Sequence, residues 1–405
     1  MSTATINLES IPRVNQSGER ELAEPRRFTL DGSAVMEESM RNLCDRTLAG
    51  IRSLVPVRML EGLLLGGGYG RGEGGVLRET SGDRAYNDLD FYVFVRGNDF
   101  LNARRFRDRL HALGQTLAPH PGLEIEFKVL SQAKLQKSPP SMFYYDLVSG
   151  HHHLWGGENL LDGCQHHRDP AKIPAAEASR LLMNRCAGLL LARERLDRDT
   201  VTDTDADFIH RNQAKAQLAL GDAVLAFLGQ YHWSCRERHR RLKLMADQPD
   251  LPGIDSLLHH HREGIAFKLH PRHFSRSLSD LRERQERITE YALEVWLWLE
   301  SRRLGHPFAS AMDYAASQRR KCPETPAWRN WLLTGLKCGP SRWCYPGSLR
   351  HPRERVLNWL ALLLWEPEAT RGAFLSEQGR RELGTDSKTP AGLVRSFTSL
   401  WARFS

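Results

Sequence analysis

No stretch of this chain is apolar for long enough to cross a bilayer. The longest apolar run, WLALLLW at 359–365, falls far short of the ~20 residues a spanning helix needs, so no membrane partner is expected. The opening residues, MSTATINLESIPRVNQ, lack the apolar core of a secretory leader. Cysteine is sparse and irregular: seven in 405 residues, an odd number, none at C-x-x-C spacing. That argues against a disulfide scaffold and the common zinc ribbons, and a reduced, cytoplasmic chain is the simplest expectation. Acidic residues are in deficit, 49 against 57 Lys and Arg, for a formal net charge of +8. The surplus favours anionic ligands such as nucleotide phosphates or RNA, and fits a merely basic surface equally well. Internal repeats and sustained heptads are missing too, which removes solenoids and coiled coils. The chain is long enough for two or three domains.

The informative stretch is LLLGGGYGRGEGGVLRETSGDRAYNDLDFYVFV, residues 63–95. An apolar run enters a glycine cluster, and a second apolar run follows two carboxylates, Asp88 and Asp90. Side chains on a strand alternate, so Asp88 and Asp90 share one face while Leu89 and Phe91 point into a core. Two anions side by side repel each other. A fold tolerates them when a cation sits between, and hard divalent ions take oxygen ligands. Glycine lets backbone N–H groups approach a phosphate closely. A metal–triphosphate site is the chemistry these residues predict together.

GGGYGRGEGG followed by NDLDFYVFV resembles the DNA-polymerase-β-like nucleotidyltransferase superfamily. The GGYGRGE wording is most similar to the uridylyltransferase that modifies the PII signalling protein. The resemblance covers roughly residues 60–130 and implies a Gly-Gly turn, an Asp-x-Asp strand and a third acid on a later strand. Two departures stand out. Tyr69 stands where the family's usual Ser offers a hydroxyl contact to phosphate. The stretch VLRETSGDRAY is longer than compact members have, and predicts a surface hairpin or flap beside the site.

Residues 99–117 predict the next helix, with Asp99 as its N-cap and Ala103, Phe106, Leu110 and Leu113 at helical spacing. The strand after it is LEIEFKVL, residues 123–130. Its alternation puts Glu124, Glu126 and Lys128 on one face, so either glutamate fits as third acid. The resembling uridylyltransferases carry a basic residue two positions after theirs, which favours Glu126 with Lys128.

The fold class expected is α+β: a small mixed β-sheet nucleotidyltransferase domain with flanking helices, then an all-α helical bundle. Residues 1–29 read as a flexible arm, 30–150 as the catalytic domain and 151–174 as a connecting segment. A helical domain over 175–305 and a helical extension over 306–405 complete the division. Helical periodicity predicts helices over 33–54, 175–198, 205–230, 278–303 and 353–365, and near 390–403.

Arg211, Lys215 and Asp222 share one face of the helix at 205–230. Its sequence resembles a family helix whose Lys reaches the nucleotide phosphates; a solvated helix face is the plainer alternative. Three histidine runs, His151–His153, His166–His167 and His259–His261, lack converging metal-ligand spacing and read as surface or loop residues. The first run borders the catalytic strands in sequence. Of the ten tryptophans, some with Arg nearby as in SRWCY at 341–345, most are expected in cores.

The resemblance implies a transfer of a nucleoside monophosphate from a nucleoside triphosphate to an acceptor hydroxyl, with pyrophosphate leaving. Asp88, Asp90 and Glu126 are the expected catalytic acids and metal ligands, with two Mg²⁺ ions. Gly67, Gly68, Tyr69, Arg71 and Lys215 are the expected nucleotide contacts. The acceptor (small molecule, protein or RNA), the base and the oligomeric state stay open. The alternative class is a catalytically degenerate nucleotide-binding or antitoxin-like partner module. The phosphohydrolase and ligand-sensing modules of the PII enzyme are not evident, so the resemblance carries chemistry without that substrate.

Overall fold

The chain is seen in a computed structural model that describes residues 27–120, 123–248, 250–274, 277–339, 347–387 and 389–404. Its sheet is built around β4 (Asn87–Val95). β4 pairs antiparallel with β1 (Leu60–Leu65) and parallel with β5 (Leu123–Leu130), and β1 pairs antiparallel with β6 (His152–Gly156). The order β5-β4-β1-β6 makes a small mixed sheet.

One face of the sheet carries Leu89, Phe91, Val93, Ile125 and their neighbours. It is covered by α1 (Ala34–Leu54) and α3 (Asp99–Leu117), whose Met40, Ile51, Phe106 and Leu110 complete that core. Ser33 caps α1 by accepting from the Met36 N–H. Asn98, rather than Asp99, caps α3, because its side chain is the one placed to accept from the Leu101 N–H. The opposite face carries Tyr92 and Phe94 and packs on Leu135 and Leu147. These come from α4 (Gln132–Lys137) and α5 (Met142–Ser149).

Two boundaries differ from expectation. Arg27 to Thr29 were assigned to the arm, but Phe28 and Thr29 are buried. Glu37 accepts from both of their N–H groups. The rest of the arm, residues 1–26, lies outside the described residues. The supposed connecting segment 151–174 supplies β6, so the sheet extends past residue 150. Its alternation is short and histidine-rich, and only its pairing to β1 identifies it.

The rest of the chain is helical. α6 (Ala175–Leu196), α7 (Asp203–Phe227), α8 (Cys235–Leu244), α9 (Ile254–Leu269) and α10 (Leu278–Leu304) follow one another. Then come α11 (Ala311–Ala316), α12 (Ala327–Cys338), α13 (Arg353–Trp365), α14 (Ala373–Leu383) and α15 (Pro390–Phe404). Trp296 and Trp359 are fully buried in this half, inside one apolar core with Leu182, Val224 and Leu360. The SRWCY tryptophan lies outside the described residues. The molecule is thus a small mixed sheet in a mostly helical chain, an α+β architecture. No helix among the described residues is long and apolar enough to cross a membrane.

Candidate functional site

The glycine cluster begins where β1 ends. Leu65 pairs with Phe91, and the Gly66 N–H donates to the Asp90 carbonyl at 2.9 Å. The chain then coils into one short helical turn, α2 (Gly67–Gly70). Gly67 sits at φ +61°, and a Cβ there would stand 2.9 Å from Asp90 Oδ2. Any side chain would strain the backbone and strike the carboxylate. Gly67, not Gly68, is therefore the position that demands glycine by conformation. The first N–H groups of such a turn have no intrahelical partner, and Gly67 itself stands next to Asp90.

Across the sheet the register is decisive. In the parallel pair, Asp88 is level with Glu124 and Asp90 with Glu126. Both pairs lie on the same face, as alternation predicts. Lys128 reaches back over them: its ammonium is 2.8 Å from Asp90 Oδ1 and 3.8 Å from Glu126 Oε2. Partial burial raises the pKa of Glu126 above 4.5; Asp90, Asp88 and Glu124 add to that, and Lys128 opposes it. Among the described residues, no three His, Cys, Asp or Glu side chains already converge on a point that could hold a metal. The donor set nonetheless fits a hard cation. It is all carboxylate oxygen, and a Lys ammonium already bridges Asp90 and Glu126.

Asp88, Asp90, Gly67 and Gly68 line a cleft of about 270 Å³. Its far wall is helical and basic. Lys215 of α7 and Arg185 of α6 both face it. Neither makes a hydrogen bond or ion pair among the described residues. Burial lowers the pKa of Lys215, with Arg185 beside it; Asp88 opposes the shift. The sequence reading found Lys215 but missed Arg185, since one arginine in an amphipathic helix carries no signal of what it will face. Glu126 does not line this cleft. It borders a separate hollow of about 470 Å³ between α3 and the outer edge of β5.

Tyr69 and Arg71, two of the expected nucleotide contacts, line the cleft and also have partners within the protein. The Tyr69 hydroxyl donates to the Gly75 carbonyl and accepts from the Tyr86 N–H at 2.7 Å. It braces the glycine loop. Arg71 forms an ion pair with Asp146 of α5 at 2.7 Å, and its aliphatic stem packs on Gly150. Glu73, which the sequence reading passed over, ties the same loop to the helices. It accepts from the Ser234 hydroxyl and the Cys235 N–H at the start of α8, with Lys268 of α9 at 3.5 Å. Burial opposes its charge, but Lys268, Ser234 and Cys235 outweigh burial and hold its pKa at about 2.

Asp222, though on the helix of Lys215, lies away from the cleft. It is buried between Arg238 at 3.0 Å and His261 at 3.0 Å. His261, His260 and His167 are buried, not surface residues as expected. Each has an internal partner, Asp222, Gln217 and the Leu135 carbonyl respectively. β6, with His152 and His153, runs behind the glycine turn beside β1. The long insert forms the expected hairpin, β2 (Val76–Glu79) with β3 (Gly82–Ala85). Asp83 accepts from the Ser33 N–H there, so the hairpin leans on the start of α1. Comparison with protein-family models and with curated protein sequences finds no match to this chain.

Proposed function

We propose that this protein is a metal-dependent nucleotidyltransferase that moves a nucleoside monophosphate from a nucleoside triphosphate to an acceptor hydroxyl. One observation carries the reading. A carboxylate wall and a basic wall, Arg185 and Lys215, neither paired among the described residues, face each other across a glycine turn that touches Asp90. That combination suits a ligand that is anionic and metal-bound at once.

Asp88, Asp90 and Glu126 would hold Mg²⁺, with Lys128 moving off Asp90. Bound metal supplies charge stabilisation at the phosphate oxygens. The N–H groups of Gly67 and Gly68 orient the triphosphate tail. Lys215 and Arg185 neutralise it. Glu126, at the edge nearest the outer hollow, takes the acceptor hydroxyl proton. The acceptor oxygen bonds to the α-phosphorus, the bond from that phosphorus to the bridging oxygen breaks, and pyrophosphate leaves. Glu126 also borders the outer hollow along β5, which gives the acceptor an approach separate from the nucleotide cleft.

The degenerate-module reading has one observation behind it: Lys128 already occupies the place of a cation between Asp90 and Glu126. Incubation with each labelled nucleoside triphosphate, Mg²⁺ and a cell extract separates the two. Pyrophosphate release with label in an acceptor fraction supports the enzyme. Binding without turnover supports the module. Absence of any nucleotide binding overturns both.

A further inference from the structure

α12 is amphipathic in reverse. Its Asn330 and Thr334 are fully buried. The Asn330 amide donates to the Thr325 and Leu349 carbonyls, and the Thr334 hydroxyl donates to the Ser348 carbonyl. The polar side therefore fastens the helix to the protein. The other side faces solvent with Trp328 at 66% exposure and Leu336 at 78%, and with Trp331 and Leu332 alongside. Leu349, beside Asn330, is exposed as well. Scattered apolar residues on a surface are ordinary, but a contiguous cluster marks a binding surface.

Charge gathers at the same place. Between Asp313 and Glu354 the sequence carries eight Lys and Arg against a single acid, Glu324. That stretch alone accounts for seven of the chain's eight net positive charges. Lys321 is buried, but Arg319, Arg320, Arg329 and Lys337 are exposed. Arg320 donates to the Thr325 carbonyl just before α12, and Arg403 of α15 donates to the Lys337 carbonyl near its end. Cations thus flank the helix at both ends. Arg329 lies three and seven residues before Leu332 and Leu336, which puts it on their outward side.

A partner for this side must take both the indoles and the cations. Hydrocarbon rejects a guanidinium set among its contacts. A polyanion without planar groups leaves the indoles exposed. Single-stranded nucleic acid satisfies both, since unpaired bases stack on indole faces and phosphates take the cations. Arginine adds to each, because its planar head stacks and also binds phosphate oxygens in pairs.

We propose that the outward side of α12, with Trp328, Trp331, Arg329 and Lys337, is a docking surface for single-stranded nucleic acid. No residue of α12 lines the cleft that holds Asp88 and Asp90, so this surface stands apart from the nucleotidyltransferase reading and does not depend on it.

The test is fluorescence anisotropy of the full chain with a short labelled RNA strand of mixed sequence, in EDTA so that no metal-held cleft contributes. The same strand annealed to its complement and phosphatidylserine vesicles are run beside it. The single strand should bind, and the duplex more weakly, because its bases are already stacked. Trp328→Ala should weaken single-strand binding about tenfold, and Trp328→Phe, which keeps a ring, should restore most of it. Arg329→Gln with Lys337→Gln should flatten the dependence of log affinity on log salt by about 1.4, since each phosphate contact on a single strand contributes about 0.7. These side chains are exposed, so circular dichroism should show every variant folded. Absence of RNA binding, or RNA binding that Trp328→Ala leaves unchanged, overturns the proposal. Vesicle binding that requires Trp328 while RNA does not bind overturns it in favour of a lipid surface.

Discussion

The two walls of the cleft differ in how they are held. The acidic wall belongs to β4, whose backbone pairing to β1 and β5 fixes Asp88 and Asp90. The basic wall is assembled from helices far apart in sequence, with Arg185 on α6 and Lys215 on α7. Strand pairing sets side-chain positions through the hydrogen-bond ladder itself. Helix packing sets them through side chains that interdigitate. The acidic wall should therefore tolerate less change than the basic one, and removing single groups from each tests this.

The largest effect is expected at Asp90, which touches both the glycine turn and Lys128. Asp90→Ala should lower kcat about ten thousandfold, in line with the loss of metal-held charge stabilisation. Circular dichroism and the melting temperature should show the fold retained. Near wild-type turnover would remove the acidic wall from the chemistry.

Next comes the choice between neighbours on β5. Glu126→Gln should cost about a thousandfold in kcat, the scale of a lost general base, and Glu124→Gln little. Single-turnover rates at saturating nucleotide and Mg²⁺ decide it, and a dead Glu124 variant with an active Glu126 variant would reverse the assignment.

The joint between the walls is Glu73. Its folded pKa of about 2 lies below the ordinary 4.5, so the fold favours the ionised form. That stabilisation is complete above the unfolded value and is lost as pH falls through the window toward the folded one. Linkage puts it at about 3 kcal/mol. Urea unfolding of wild type and Glu73→Gln across that window should show the difference between them shrinking as pH drops. A constant difference would mean that the carboxylate charge is not what binds the loop to α8.

The smallest effect is expected at the basic wall. Lys215→Met or Arg185→Met should raise the nucleotide KM about tenfold each and change kcat less. A kcat collapse in either would show that the basic wall acts on the reacting phosphate as strictly as the acidic one.

Much of the fold was legible because local pattern and tertiary role agree. The stripe at Met36, Met40, Leu43 and Ile51 is buried as predicted, and α1 ends at Leu54 as read. The strand LEIEFKVL occupies its predicted bounds. α8 and α9 were not foreseen. α8 is strongly charged, and three consecutive histidines in α9 hide its apolar side. β6 escaped because a five-residue strand has too few alternations to read without its partner.

At the site, the sequence by itself determined the shared face of the Asp pair and the glycine cluster before it. Alternation puts Asp88 and Asp90 on one face; that Gly67 is the position demanding glycine follows only from its φ of +61° in the structure. The sequence reading named Arg71 and Tyr69 as nucleotide contacts without seeing their internal partners, because a charged or hydroxylated side chain next to a glycine turn suits a phosphate or a protein partner equally. The tertiary structure supplied those partners: Asp146 pairs with Arg71, and the backbone at Gly75 and Tyr86 holds the Tyr69 hydroxyl. It alone brought Arg185 opposite the acids, beside the Lys215 to which the resemblance had pointed. Strand chemistry is written in neighbours two residues apart. The charge that balances it comes from helices whose separation in the chain carries no trace of their meeting.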